Sequence, residues 1–112
     1  MPDVISFTPE VADTILAFGA TGAFSIHLGS GSGESHAYVL HFDPEGEIGM
    51  HKAGFDQLFL VVSGEAWLTV EGDTVELRSG EAGVVPQGSM HAKGSRSGGT
   101  VVMIQMLDMT RD

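Results

Sequence analysis

The segment from Gly80 to His91 constrains the fold of this chain more tightly than any other stretch. Five residues separate Gly80 from Pro86, one separates Pro86 from Gly88, and two separate Gly88 from His91. Each fixed point has a physical task. Gly80 permits the positive φ of a tight turn into a strand, Pro86 ends that strand, and Gly88 lets the backbone reverse. His91 is then delivered at the start of a new strand, facing a defined side. A short apolar strand over Ala82 to Val85 fits between the two turns.

The same grammar runs through most of the chain. Sixteen glycines and four prolines are scattered without a repeat, as punctuation between short strands. Phe24 to Leu28 alternates apolar and polar residues, and His36 to Phe42 resumes after a glycine-rich stretch over Gly29 to Ser35. These two predict an antiparallel hairpin, with Tyr38, Leu40 and Phe42 on one face and Val39 and His41 on the other. Gln57 to Val62 reads as a strand buried on both sides, turned by Ser63-Gly64-Glu65 into an alternating strand over Ala66 to Glu71. Gly72-Asp73 turns again into Thr74 to Leu77, and Thr100 to Leu107 is apolar throughout. Seven or eight short strands with no helix between them predict an all-β sandwich or barrel of antiparallel strands. Residues 1–22 are a separate N-terminal lead-in, either irregular or a short helix capped by Thr8 with Pro9 first. Residues 23–112 form the barrel.

Composition narrows the function classes. At 112 residues the chain is one domain. The formal net charge is −10, with Lys52, Lys93, Arg78, Arg96 and Arg111 as the whole positive complement. That leaves no basic footprint for nucleic acid or an anionic membrane. Cysteine is absent, which removes disulfides, thiolate catalysis and Cys-ligated zinc. Neither a signal peptide nor a membrane-spanning run is legible, so the expected location is cytoplasmic.

Two spaced segments carry the chemistry. Gly80, Pro86, Gly88, His91 and Ser95 make one; Gly46, His51, Gln57 and Gly64 make the other. Together they resemble the two motifs of the cupin family over roughly residues 36–107. The second motif, G-x5-P-x-G-x2-H-x3-N, is matched at Gly80, Pro86, Gly88 and His91, with Ser95 replacing the Asn. In the first, His51 falls on the first His, Ala53 on the second, Gln57 on the Glu and Gly64 on the closing Gly, while Gly46 is displaced by one. The resemblance implies a jelly-roll β-barrel holding a divalent metal (Zn, Fe, Ni, Mn or Cu) on His51, Gln57 and His91. These donors are all neutral, which weakens a cation site, and turning Asp56 inward instead of Gln57 would restore an anion. The alternative is a metal-free barrel in which the two histidines are hydrogen-bonding groups joined by Gln57.

Phe59 and Val61 share the parity of Gln57 and are expected to line the pocket, with Tyr38 from its own strand. Lys93 shares the parity of His91 and either reaches the pocket mouth or lies solvated at a strand end. Of His36 and His41, at most one looks inward, and His27 faces water. Met90, Met103 and Met106 read as core. Trp67, with Thr69, falls on the outer face of its strand, an apolar patch that predicts a homodimer. Three functions remain open: a metal-dependent enzyme of dioxygenase, isomerase or lyase type, a non-catalytic binding module for a small-molecule ligand, and a structural protein.

Overall fold

A computed structural model describes residues 2–111; Met1 and Asp112, the outermost residues of the two segments above, lie outside the described residues. In chain order the strands are β1 (Val4–Ser6), β2 (Asp13–Thr14), β3 (Phe24–Ser25), β4 (Ser30–Phe42), β5 (Glu47–Lys52), β6 (Asp56–Val70), β7 (Asp73–Arg78), β8 (Glu81–Val85), β9 (Met90–Gly94) and β10 (Gly99–Thr110). One 3₁₀ turn, Pro9–Val11, follows β1, with Thr8 at its N-cap but making no side-chain cap bond.

β6 organises the molecule. Its first half pairs β8 on one side and β10 on the other, with β1 beyond β8 and β4 beyond β10. Its second half leaves that sheet and pairs β7 and β9, with β5 beyond β9. Two antiparallel layers therefore share one long bent strand and face each other as a jelly-roll barrel. The bend is built by a bulge: Thr100 and Val101 of β10 pair with Ser63 and Val61, so Val62 is an extra residue. An inserted residue flips the side-chain parity of a strand. Gln57, Phe59 and Val61 face inward before it, and Ala66, Leu68 and Val70 after it.

The first half of β6 is buried on both faces, as expected. Inward, Phe59 and Val61 pack with Phe42, Val85, Leu77 and Val101. Outward, Leu58 and Leu60 pack with Ala82 and Val84 under Ile5, Phe7 and Leu28. The N-terminal lead-in covers this outer face, and its β1 joins the sheet through β8.

Three expectations are corrected. Phe24 to Leu28 does not form a hairpin with His36 to Phe42: β3 pairs β2, and β4 pairs β10 instead. The glycine-rich stretch before His36 is mostly strand, because β4 runs back to Ser30 and finds its partners in β10. Ser63-Gly64-Glu65 does not turn the chain back but lies inside β6.

β4 and β5 follow one another but do not pair. β4 is bonded only to β10, and β5 only to β9, among the described residues. Their free edges leave one side of the barrel unclosed, and every residue of β5 is exposed.

Candidate functional site

β9 carries the site. His91 and Lys93 lie two residues apart, opposite Val70 and Leu68 of β6, so both project into the interior. On the other side of β9, His51 of β5 pairs directly with His91. Their rings lie 4.3 Å apart, centroid to centroid, tilted by 54°. His51 is exposed, and its Nδ1–H donates to the Gly49 carbonyl at 2.8 Å. His91 is wholly buried, and neither of its ring nitrogens has a hydrogen-bond partner. A buried donor left unpaired costs on the order of 1–3 kcal/mol.

Lys93 is 2% exposed. Its Nζ donates to Gln57 Oε1 at 3.1 Å and to Met103 Sδ at 3.2 Å, and stands 5.5 Å from the Phe59 ring centroid. Among the described residues it enters no ion pair with a carboxylate. An ammonium held by an amide, a thioether and a ring face lacks the anion that normally accompanies a buried charge. Burial lowers the Lys93 pKa from 10.5 to about 8. Burial also brings His91 down to about 4, helped by the charges of Lys93 and His51, so its imidazole is neutral near pH 7.

The other residues read from the sequence fall as follows. Gln57 faces inward and is buried, tied to Lys93 rather than to either histidine. Phe59 and Val61 are wholly buried in the interior core. Tyr38 lies on the same side of β4 as Leu40 and Phe42 but is 46% exposed, near the unclosed side of the barrel. There the His36 ring stacks on Tyr38 at 6.2 Å and meets the Phe55 edge at 5.4 Å, while His41 points away to Thr100 Oγ1. His27 is exposed and bonded to Ser30. Asp56 serves the backbone: its carboxylate accepts from the amides of Gln87 and Met109. Ser95, in the Asn position, is also a fastener, its Oγ 2.6 Å from the Glu65 carbonyl oxygen and accepting from the Gly98 amide. The Glu65 carboxylate accepts from the amides of Ser97 and Arg96, and the Ser97 amide foremost lowers its pKa. Trp67 faces outward as expected but is half-buried, its ring packed over Gly94.

Lys93 is the residue whose depth the sequence reading understated. Parity placed it on the His91 face, and the structure puts it in the interior rather than solvated at a strand end. Met103, which reads as core in the sequence, is its second partner. The signal was present in register: Met103 pairs Phe59 across β6 and β10, on the interior side.

This donor set does not fit a divalent cation. His51 and His91 offer neutral imidazoles, Ala53 offers nothing, and the Gln57 oxygen already accepts from Lys93. The Lys93 ammonium adds a positive charge where a metal would need an anion. Nowhere among the described residues do three His, Cys, Asp or Glu side chains converge for a metal. The chemistry of the site is that of a cationic group with two nearby imidazoles, which suits an anionic or carbonyl-bearing guest.

Known proteins place this geometry in context. The sequence profile of the cupin domain matches residues 38–107, which takes in every residue of the site. Among solved structures, a conserved protein of unknown function from Streptococcus pyogenes aligns with a TM-score of 0.64 at 24% identity, covering 68% of this chain and 67% of that one. A cupin superfamily protein from Desulfitobacterium hafniense aligns at 0.62 and 19% identity over 72% and 77% of the two chains. An RmlC-like cupin from Shewanella frigidimarina aligns at 0.61 and 28% identity over 64% and 65%. No curated protein matches the chain. With the profile spanning more than half of the sequence and the shared barrel beneath it, this chain belongs to the cupin domain family.

Proposed function

We propose that this barrel is a metal-free receptor for a small organic anion, a carboxylate above all. The observation that carries the reading is the Lys93 ammonium, buried with no carboxylate of its own, beside the two unpartnered ring nitrogens of His91. A guest carboxylate supplies both missing elements, a counter-charge for Lys93 and an acceptor for a His91 N–H. Phe59, Val61 and Met103 give its organic part an apolar surround. The interior is closed around Lys93 and His91 in this conformation, so a guest is admitted where β4 and β5 leave the barrel unclosed, past Tyr38, His36 and His51.

A thermal-shift screen of small carboxylates in the presence of a chelator tests this. A guest at one hundred times its Kd is expected to stabilise the chain by about 2.7 kcal/mol, and Lys93→Met is expected to abolish the gain. The competing reading is the metal-dependent enzyme, with the ion on His51, Gln57 and His91. Stoichiometric metal in the wild-type protein, purified without a His tag and lost in His91→Ala, would overturn the receptor in its favour.

We also infer a homodimer. Its support lies in the arm formed by β2 and β3 rather than in Trp67. Leu16 and Phe18, between those strands, are 90% and 103% exposed, and Phe24 of β3 is 57% exposed. Apolar side chains displayed so fully on a protruding arm call for a partner surface.

A further inference from the structure

We propose that a groove on the outer face of the β5–β9–β6–β7 layer binds a small quaternary ammonium cation, seated on the Trp67 indole beside the carboxylates of Glu45 and Glu47. The groove lies on the opposite face of β9 from His91 and Lys93. It stands independently of the receptor in the barrel.

The sheet itself builds the seat. Glu47, Gly94, Trp67 and Glu76 form one row across the four strands. Gly94 has no side chain, and the indole takes up that space: a Cβ on Gly94 would meet both the Trp67 ring and the Glu47 stem. The ring therefore reaches over β9 toward Glu47. It stays half-buried and borders a groove of about 350 Å³, within the size range of small-molecule sites. In the neighbouring row the Thr69 and Thr74 hydroxyls, bonded to each other at 2.6 Å, line the same groove. Arg96 lines it too, but its guanidinium already meets the Glu76 carboxylate at 3.3 Å. Glu45 and Glu47 are exposed on the groove and enter no ion pair among the described residues. Glu45 holds φ of +65°, a backbone position that favours glycine or asparagine, yet it carries a carboxylate.

The class of guest follows from these groups. An indole face is the best aromatic seat for a cation, and no cation of the chain takes it: the one cation–π contact among the described residues is Lys93 over Phe59. Nor do three His, Cys, Asp or Glu side chains converge here to hold a metal ion. A quaternary ammonium spreads its charge over methyl groups and meets a ring face without giving up hydrogen bonds to water. The two unpaired carboxylates supply its counter-charge, and the net charge of −10 draws cations from a distance.

The chain has one tryptophan, so its fluorescence reports this groove alone. The test titrates choline, tetramethylammonium, glucose and the neutral carbon isostere of choline into the full chain, read by tryptophan emission and by isothermal titration. Saturable one-to-one binding of the two cations is expected, weakened by salt, with no response to glucose or the isostere. Trp67→Leu, and separately Glu45→Gln with Glu47→Gln, are each expected to weaken choline binding at least ~10-fold. The double glutamine variant alters only exposed side chains, so it keeps the fold and the fluorescent reporter. Equal binding of choline and its isostere, or choline binding unchanged in that variant, would overturn the proposal. So would a response to glucose alone, which would mark a saccharide site. Emission that shifts with protein concentration and ignores choline would also overturn it, because a second copy would then cover Trp67.

Discussion

At the scale of single residues, the energetics turn on Lys93. A charged amine under a barrel wall with a neutral amide as its best partner destabilises the fold, and families of proteins retain such groups where a site needs them. Lys93→Met keeps the volume and removes the charge. The variant is expected to be more stable than the wild type near pH 7 by about 1–3 kcal/mol, measured by urea unfolding; a less stable variant would mean that Lys93 is a structural tie. The pH dependence has a definite sign. Both states hold the Lys93 proton below pH 8, so the penalty is complete there. Between about 8, the folded value, and 10.5 the unfolded chain holds more of the proton, so this group makes stability rise with pH. The relief amounts to about 3 kcal/mol, and it is expected in the wild type and absent in Lys93→Met. His91 acts at the other end of the scale. Its folded pKa of about 4 lies below 6.5, so its contribution to stability is lost as pH falls from 6.5 toward 4.

At the scale of elements, two glycines that look alike in sequence do different work. Gly88 has φ of +87° and open space where a Cβ would stand, whereas Gly64 has φ of +72° and would drive a Cβ into the Gly98 carbonyl oxygen. Gly88→Ala is therefore expected to cost about 1–2 kcal/mol, the backbone strain alone. Gly64→Ala adds a clash inside the bulged strand and is expected to cost at least ~3 kcal/mol; equal costs by denaturant unfolding would contradict the close packing of Gly64 against Gly98. β5 supplies another test. Bonded on one side and exposed throughout, its amides are expected to exchange faster than those of β6, and a bound carboxylate is expected to slow them. The Gly80–His91 segment was legible because turn chemistry is local: Pro86 and Gly88 act through their own dihedral angles. Ser30 to Ser35 was not legible as strand, because its partners lie in β10 and small polar residues carry no alternation. Parity assigned Lys93 to the His91 face, but alternation reports a side and not a depth. The bulge at Val62 is likewise a property of pairing, invisible until β10 is laid beside β6.

At the scale of the whole molecule, the interior and the surface have opposite electrostatic characters. A chain with net charge −10 repels anions at long range, so the proposed receptor would select its guest by close contact rather than by steering, and higher salt is expected to speed association with an anion. Light scattering at micromolar concentration is expected to return a dimer, and Leu16→Asp with Phe18→Asp to return a monomer without loss of folding. A wild-type monomer would contradict the role given to the arm. In the proposed receptor, Lys93 supplies the charge that holds the guest. Isothermal titration of a small carboxylate into wild type and Lys93→Met, both in excess chelator, tests it most directly. Saturable one-to-one binding to the wild type and none to the variant is expected. Equal binding by the two proteins, or binding that appears only when a divalent metal is added back, would contradict it.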